Sequence, residues 1–113
     1  MMKDNKEKKI TAESLLGLFR DHFEDETGTK IDFRKHQYLE NSYGLTPTFS
    51  YSFAETIVDS LYRWANTFIA EHQERFVVSG FEHNTMMSCD KLRSQSLKSL
   101  IEDVCDSIAS SWK

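Results

Sequence analysis

The 113 residues include one proline, four glycines and two cysteines, and basic side chains are fewer than acidic ones. Each scarcity excludes something. Two cysteines, neither in a Cys-x-x-Cys pair, are too few for a disulfide scaffold. No apolar run approaches the ~18 residues of a membrane-spanning helix, and none follows the N-terminal lysines as a secretory leader requires. Fourteen Lys and Arg against eighteen Asp and Glu give a formal charge of -4 and a pI near 5.5, opposite in sign to a typical nucleic-acid-binding domain. There is no Gly-x-Ser-x-Gly elbow, phosphate-cradling glycine loop or His-Glu-x-x-His helix. A soluble, cytoplasmic chain without cofactor or metal is the expectation. Its length and 39% hydrophobic content suit a core that folds without disulfides as props.

What is present is mostly helical periodicity. Residues 1–10, with Lys3, Lys6, Lys8 and Lys9 and little apolar content, predict a flexible basic tail, leaving residues 11–113 as one helical domain. Thr11 offers an N-cap; Leu15, Leu16, Phe19 and Phe23 follow at helical spacing, and Gly28 closes the segment. Residues 31–33 and 49–51 alternate apolar with polar side chains and predict two short strands, with Asn41, Ser42, Gly44 and Pro47 marking turns between them. Ser52 and Glu55 form a capping-box pattern ahead of a second helix over 53–74, whose apolar arc spans about half its circumference at about 100° per residue. The β-branched run at 76–78 reads as a third strand or a buried link. A third helix over 89–112 carries Leu97, Leu100, Ile101, Val104, Cys105, Ile108 and Trp112. Cys89 and Cys105 on that one helix would stand ~24 Å apart, too far to bridge, with Cys89 near its start the more reactive. The fold class is therefore mainly α, a compact three-helix domain with two or three short strands or extended links; a small helix-rich α+β fold is the alternative.

Asp21, Glu24, Asp25 and Glu26 sit at the end of the first helix, against the negative pole of its dipole, where acidic groups do not help the helix. They read as a patch for a basic partner surface, where complementary charge speeds association. Tyr62 and Trp64 flank the core stripe of the second helix, and Leu18, Met86 and Met87 add apolar surface that is hard to bury in three helices. These residues point to a homodimer through helices 53–74 and 89–112. His22 and Glu26 have metal-ligand spacing but lack a second ligand pair. Lys30, Arg34, Lys35 and Tyr38, with His36 and Phe33 between them, resemble a stacking surface with phosphate contacts, or a charged strand edge. His83 and Cys89, with Glu82 nearby, supply a base and a thiol without a recognisable triad.

The reading that follows is a small non-enzymatic protein-protein interaction module, an adaptor or inhibitor acting as a homodimer through an acidic patch and exposed aromatics. The competing reading is a nucleic-acid or nucleotide-binding accessory protein using the Lys30, Arg34, Lys35 and Tyr38 segment.

Overall fold

In the computed structural model, which describes residues 10–40, 48–77, 80–82 and 84–113, Thr11 and Gly28 punctuate the first helix as their chemistry predicts. Helix α1 spans Ala12–Thr27; the Thr11 hydroxyl accepts from the Ser14 amide and the Ser14 hydroxyl accepts from the Thr11 amide. Gly28 adopts the left-handed conformation at φ 77° and donates its N–H to the Glu24 carbonyl at 2.8 Å. The basic tail, except Ile10, and the turn residues Asn41, Ser42, Gly44 and Pro47 lie outside the described residues.

The segment after α1 departs from the strand expectation. Asp32 makes the difference: its carboxylate accepts from the Arg34 amide at 2.9 Å, and its carbonyl accepts from Lys35 and His36 at 2.9 and 2.7 Å. An aspartate that hydrogen-bonds its own following backbone turns the chain, so residues 33–35 form a turn. The strands fall later, at β1 Tyr38–Leu39 and β2 Thr48–Phe49, paired in parallel with Tyr38 opposite Thr48 and Leu39 opposite Phe49. Phe76 is extended, but residues 76–77 form no strand, and Val78 lies outside the described residues.

Helix α2, Tyr51–Glu71, begins two residues earlier than the Ser52 and Glu55 pattern predicts. Ser50 is the cap, its hydroxyl accepting from the Phe53 amide at 3.1 Å, while the Glu40 carboxylate accepts from the Tyr51 amide at 2.9 Å. The earlier start is favoured because a charge from outside the helix satisfies one of its orphan donors. A single 3-10 turn, Gln73–Arg75, follows α2.

The expected third helix is two. Asn84 caps α3, Thr85–Lys91, and Ser96 caps α4, Leu97–Ser111. Between them the chain turns: Arg93, Ser94 and Gln95 donate to the carbonyls of Asp90 and Lys91, and Ser94 and Ser96 offer the backbone local alternatives to helix. Cys89 and Cys105 thus belong to different helices.

The four helices and one strand pair among the described residues make a mainly α architecture in which α2 packs against α1, α3 and α4. Its wide apolar arc serves that central place: Ala54, Ile57, Val58, Leu61, Trp64, Ala65 and Ile69 are all buried. Against it lie Leu15, Phe19 and Phe23 of α1 and six buried side chains of α4 from Leu97 to Ile108. Each fully buried large side chain contributes on the order of 1.5–3 kcal/mol. Aromatic rings close the far end, where Trp112 stacks among Phe68, His72 and Phe76 at centroid distances of 6.1, 5.4 and 5.6 Å.

Two glycines set opposite expectations for one substitution. Gly17 lies within α1 with open space about it, so Gly17→Ala should stabilise by roughly 0.5–1 kcal/mol. Gly28 also has open space, but its positive φ makes Gly28→Ala destabilising by about 1 kcal/mol. Urea unfolding of the two variants checks the signs.

Candidate functional site

The helix pair α1 and α4 brings acidic side chains together that are far apart in sequence. A groove of about 420 Å³ between them has Glu13, Glu102, Asp103 and Asp106 on its sides, with Ala12 and Leu16 supplying apolar surface and Lys98 a single positive charge. Asp103 also accepts a hydrogen bond from the Gln95 side-chain Nε2 at 2.6 Å. Along α1, Glu13, Gly17 and Asp21 recur every four residues and share a stripe that leads into a second groove, where two carboxylates meet two basic side chains. That groove is lined by Gly17, Arg20, Asp21, Glu24 and Lys30. Asp21, Glu24 and Asp25 are exposed, α1 has no basic residue in its last turn, and none of the three carboxylates is ion-paired with a described residue.

Glu26 does not belong to that open surface. Its carboxylate accepts from the Ser60 hydroxyl at 2.7 Å and from the Arg63 guanidinium at 2.9 Å, fastening the end of α1 to α2. Hydrogen bonds from Arg63 and Ser60 hold this carboxyl below its ordinary value of 4.5, and Arg63 is in turn shared with Asp59 at 2.9 Å. His22 Nε2 lies 3.8 Å from Glu26 Oε1, a salt-bridge distance, and no cluster of three metal-ligating side chains occurs among the described residues.

The aromatic part of the predicted patch is corrected more sharply. Trp64 is 9% exposed and packs on Phe19 of α1 and Phe68 of its own helix at 5.5 and 5.9 Å, so its indole belongs to the core. Its edge lines a groove of about 400 Å³ with His22, Arg63 and Glu71. Tyr62 is half-buried on another side of α2, its ring edge-on to Phe81 at 6.2 Å. The outward residues of α2 and α4 are polar or small, and the large hydrophobics that remain exposed among the described residues are Leu18, Val77, Met86 and Met87. The apolar excess that suggested dimerisation through helices 53–74 and 89–112 is therefore mostly core.

The basic segment is partly gathered. Arg34 and Tyr38 line one groove of about 330 Å³ together with Phe33, His36 and Lys98; Arg34 is also 3.8 Å from Asp32, Lys30 shares another groove with Asp21 and Glu24, and Lys35 is exposed. Phe33 is covered by the Arg20 guanidinium, 4.9 Å from its ring centroid, while Arg20 also donates to the Ile31 carbonyl at 2.8 Å. The His36 ring is packed against Phe53 at 4.8 Å and accepts from the Asp32 amide, and burial lowers its pKa. A stacking platform needs free aromatic faces, and here the Phe33 and His36 rings are engaged by Arg20 and Phe53.

Cys89, expected as the more reactive thiol, is buried, and burial pushes it up to about 11; the same cause pushes Cys105 up to about 12. His83, the proposed base, lies outside the described residues. The sequence pattern singles out the α1 half of the acidic surface, Asp21, Glu24 and Asp25, and gives no signal for Glu13, Glu102, Asp103 and Asp106, which tertiary packing brings together. Comparison with protein-family models, curated proteins and solved structures returned no match.

Two outcomes follow from these groups. Glu26→Gln should lower stability at pH 7 by about 0.2–1 kcal/mol, the range of partly exposed ion pairs. Because the folded pKa of Glu26 is depressed, its stabilisation is fully present above 4.5 and is lost as pH falls through the folded value, so the two unfolding curves should converge in acid. A thiol reagent at pH 8 should modify neither cysteine in the folded protein and both in urea, because thiolate, not thiol, is the nucleophile.

Proposed function

We propose that the protein is a small interaction module that docks a lysine- or arginine-rich segment of another protein on the acidic face shared by α1 and α4. The observation that carries this reading is the placement of Glu24 and Asp25 in the last turn of α1, at its wrong pole, with Asp21 one turn earlier, all three exposed and ion-paired with no described residue. Acidic groups near a helix C-terminus are each unfavourable by roughly 0.3–1 kcal/mol. Local stability does not account for them, whereas attraction of a basic partner does. The groove of Glu13, Glu102, Asp103 and Asp106 supports the reading by extending the same charge across a second helix, with Leu16 and Ala12 available to an apolar side chain of the bound segment. Glu26 and Trp64 are left out, since Glu26 is engaged by Ser60 and Arg63 of α2 and Trp64 is buried in the core.

Charge reversal separates function from fold. The triple variant Asp21→Lys, Glu24→Lys, Asp25→Lys should slow association with a lysine-rich peptide by roughly tenfold or more at low salt, with the effect fading as salt screens it. Its melting temperature should stay level or rise, since lysine suits the C-terminal pole of a helix. The control is Glu55→Lys with Glu74→Lys, exposed acids outside this face. Stopped-flow association rates that fall equally in both variants would reduce the effect to net charge and overturn the assignment.

A further inference from the structure

Helix α3 turns both of its methionines outward. Of its seven residues, Ser88 and Cys89 are buried, while Met86 and Met87 are 65% and 64% exposed. A short helix that turns a serine inward and two methionines outward loses apolar burial in the monomer, and methionine is a residue type enriched where surfaces meet.

The surroundings of Met87 are shaped to receive something. With Tyr62, Ser88 and Asn84 it lines a groove of about 360 Å³, and Glu82 and Lys91 bring opposite charges to the same groove from different elements. Neither Glu82 nor Lys91 is ion-paired with a described residue. The groove is held in shape from behind. The Asn66 side chain accepts from the Phe81 amide at 2.6 Å and donates to the Phe81 carbonyl at 3.2 Å, and Phe81 in turn packs edge-on to Tyr62. Preformed surfaces lose less ordering entropy when they bind.

We propose that this groove is the contact between two copies of the chain, each copy's Met86 and Met87 seated on the other's Tyr62 groove. The surface carries both members of each pair: methionines that protrude and the Tyr62 ring in a recess lined mostly by polar side chains, one carboxylate and one ammonium. Such self-complementarity is what a two-fold axis requires, since it sets residue i of one copy against j of the other and j against i. Here it sets each Glu82 against the other copy's Lys91. A different protein would need to match both signs by its own design; a second copy matches them by symmetry. This contact lies apart from the acidic face of α1 and α4, so two copies can present two such faces.

Sedimentation velocity of the full chain over roughly 1–200 μM tests the proposal. The wild type should shift toward twice 13.2 kDa as concentration rises. Glu82→Lys and Lys91→Glu should each weaken the dimer by roughly tenfold or more, because each sets like charges together. Mixing the two variants should restore it, because both cross-contacts are then of opposite sign. Met87→Lys should also remain monomeric, with circular dichroism of each variant confirming the fold. A wild type that stays monomeric throughout, a dimer indifferent to both reversals, or a mixture that does not recover each overturns the proposal. None of these results bears on peptide binding by the acidic face, which is read by association rate.

Discussion

Residues 37–40, the strand β1 with one residue on either side, hold the ends of three helices, and the rest of the structure hangs from them. The Gln37 carbonyl accepts from the Leu97 amide at 2.7 Å at the start of α4; the Leu39 amide donates to the Leu92 carbonyl at 3.2 Å just past α3; the Glu40 carboxylate accepts from the Tyr51 amide at the start of α2. Glu40 also donates its own N–H to Phe49 at 2.7 Å beside the strand pair. Helix ends carry unsatisfied donors and acceptors that must find partners, and here one strand supplies several. Strands of two residues are too short to stabilise themselves, so their worth lies in what they fasten.

That arrangement explains which parts of the architecture are legible in the residues alone. Helix α1 is legible at both ends because Thr11 and Gly28 act locally. The start of α2 is not, since Ser50 and Ser52 are both competent caps and the choice between them is swayed by a glutamate eleven residues away. The division between α3 and α4 leaves a trace, a run of four polar residues between Leu92 and Leu97 that contains two serines, but the apolar periodicity on either side bridges it. The strand expected at residues 31–33 gives way because the Asp32 carboxylate accepts from a backbone amide two residues on, a local bond that alternating hydrophobicity does not report.

Aromatic content was the weakest guide to surface. Trp64, Phe68, His72, Phe76 and Trp112 form one connected set of rings, so residues that look surplus on a helical wheel are used in closing the interior. The informative surface signal is charge placed against a helix dipole, which is visible in sequence, together with the α4 carboxylates, which are not. Which face of α4 meets α1 is decided by tertiary packing. Glu26 shows the same limit from the other side: it looks like a fourth member of the acidic run, yet its distance to Ser60 and Arg63 makes it an internal fastener. The apolar counterpart is α3, where the displaced methionines gain meaning only once Ser88 is seen to be buried.

The bond from Leu97 to Gln37 has a kinetic corollary. In an isolated helix the first amide has no acceptor within the helix and exchanges its hydrogen with solvent almost at the rate of an unstructured peptide. Leu97 is wholly buried and its amide is tied to a residue sixty positions earlier, so this first-turn hydrogen can leave only when α4 and the 37–40 stretch separate. Its exchange lifetime therefore measures the cohesion of the whole assembly, not the fraying of one helix end.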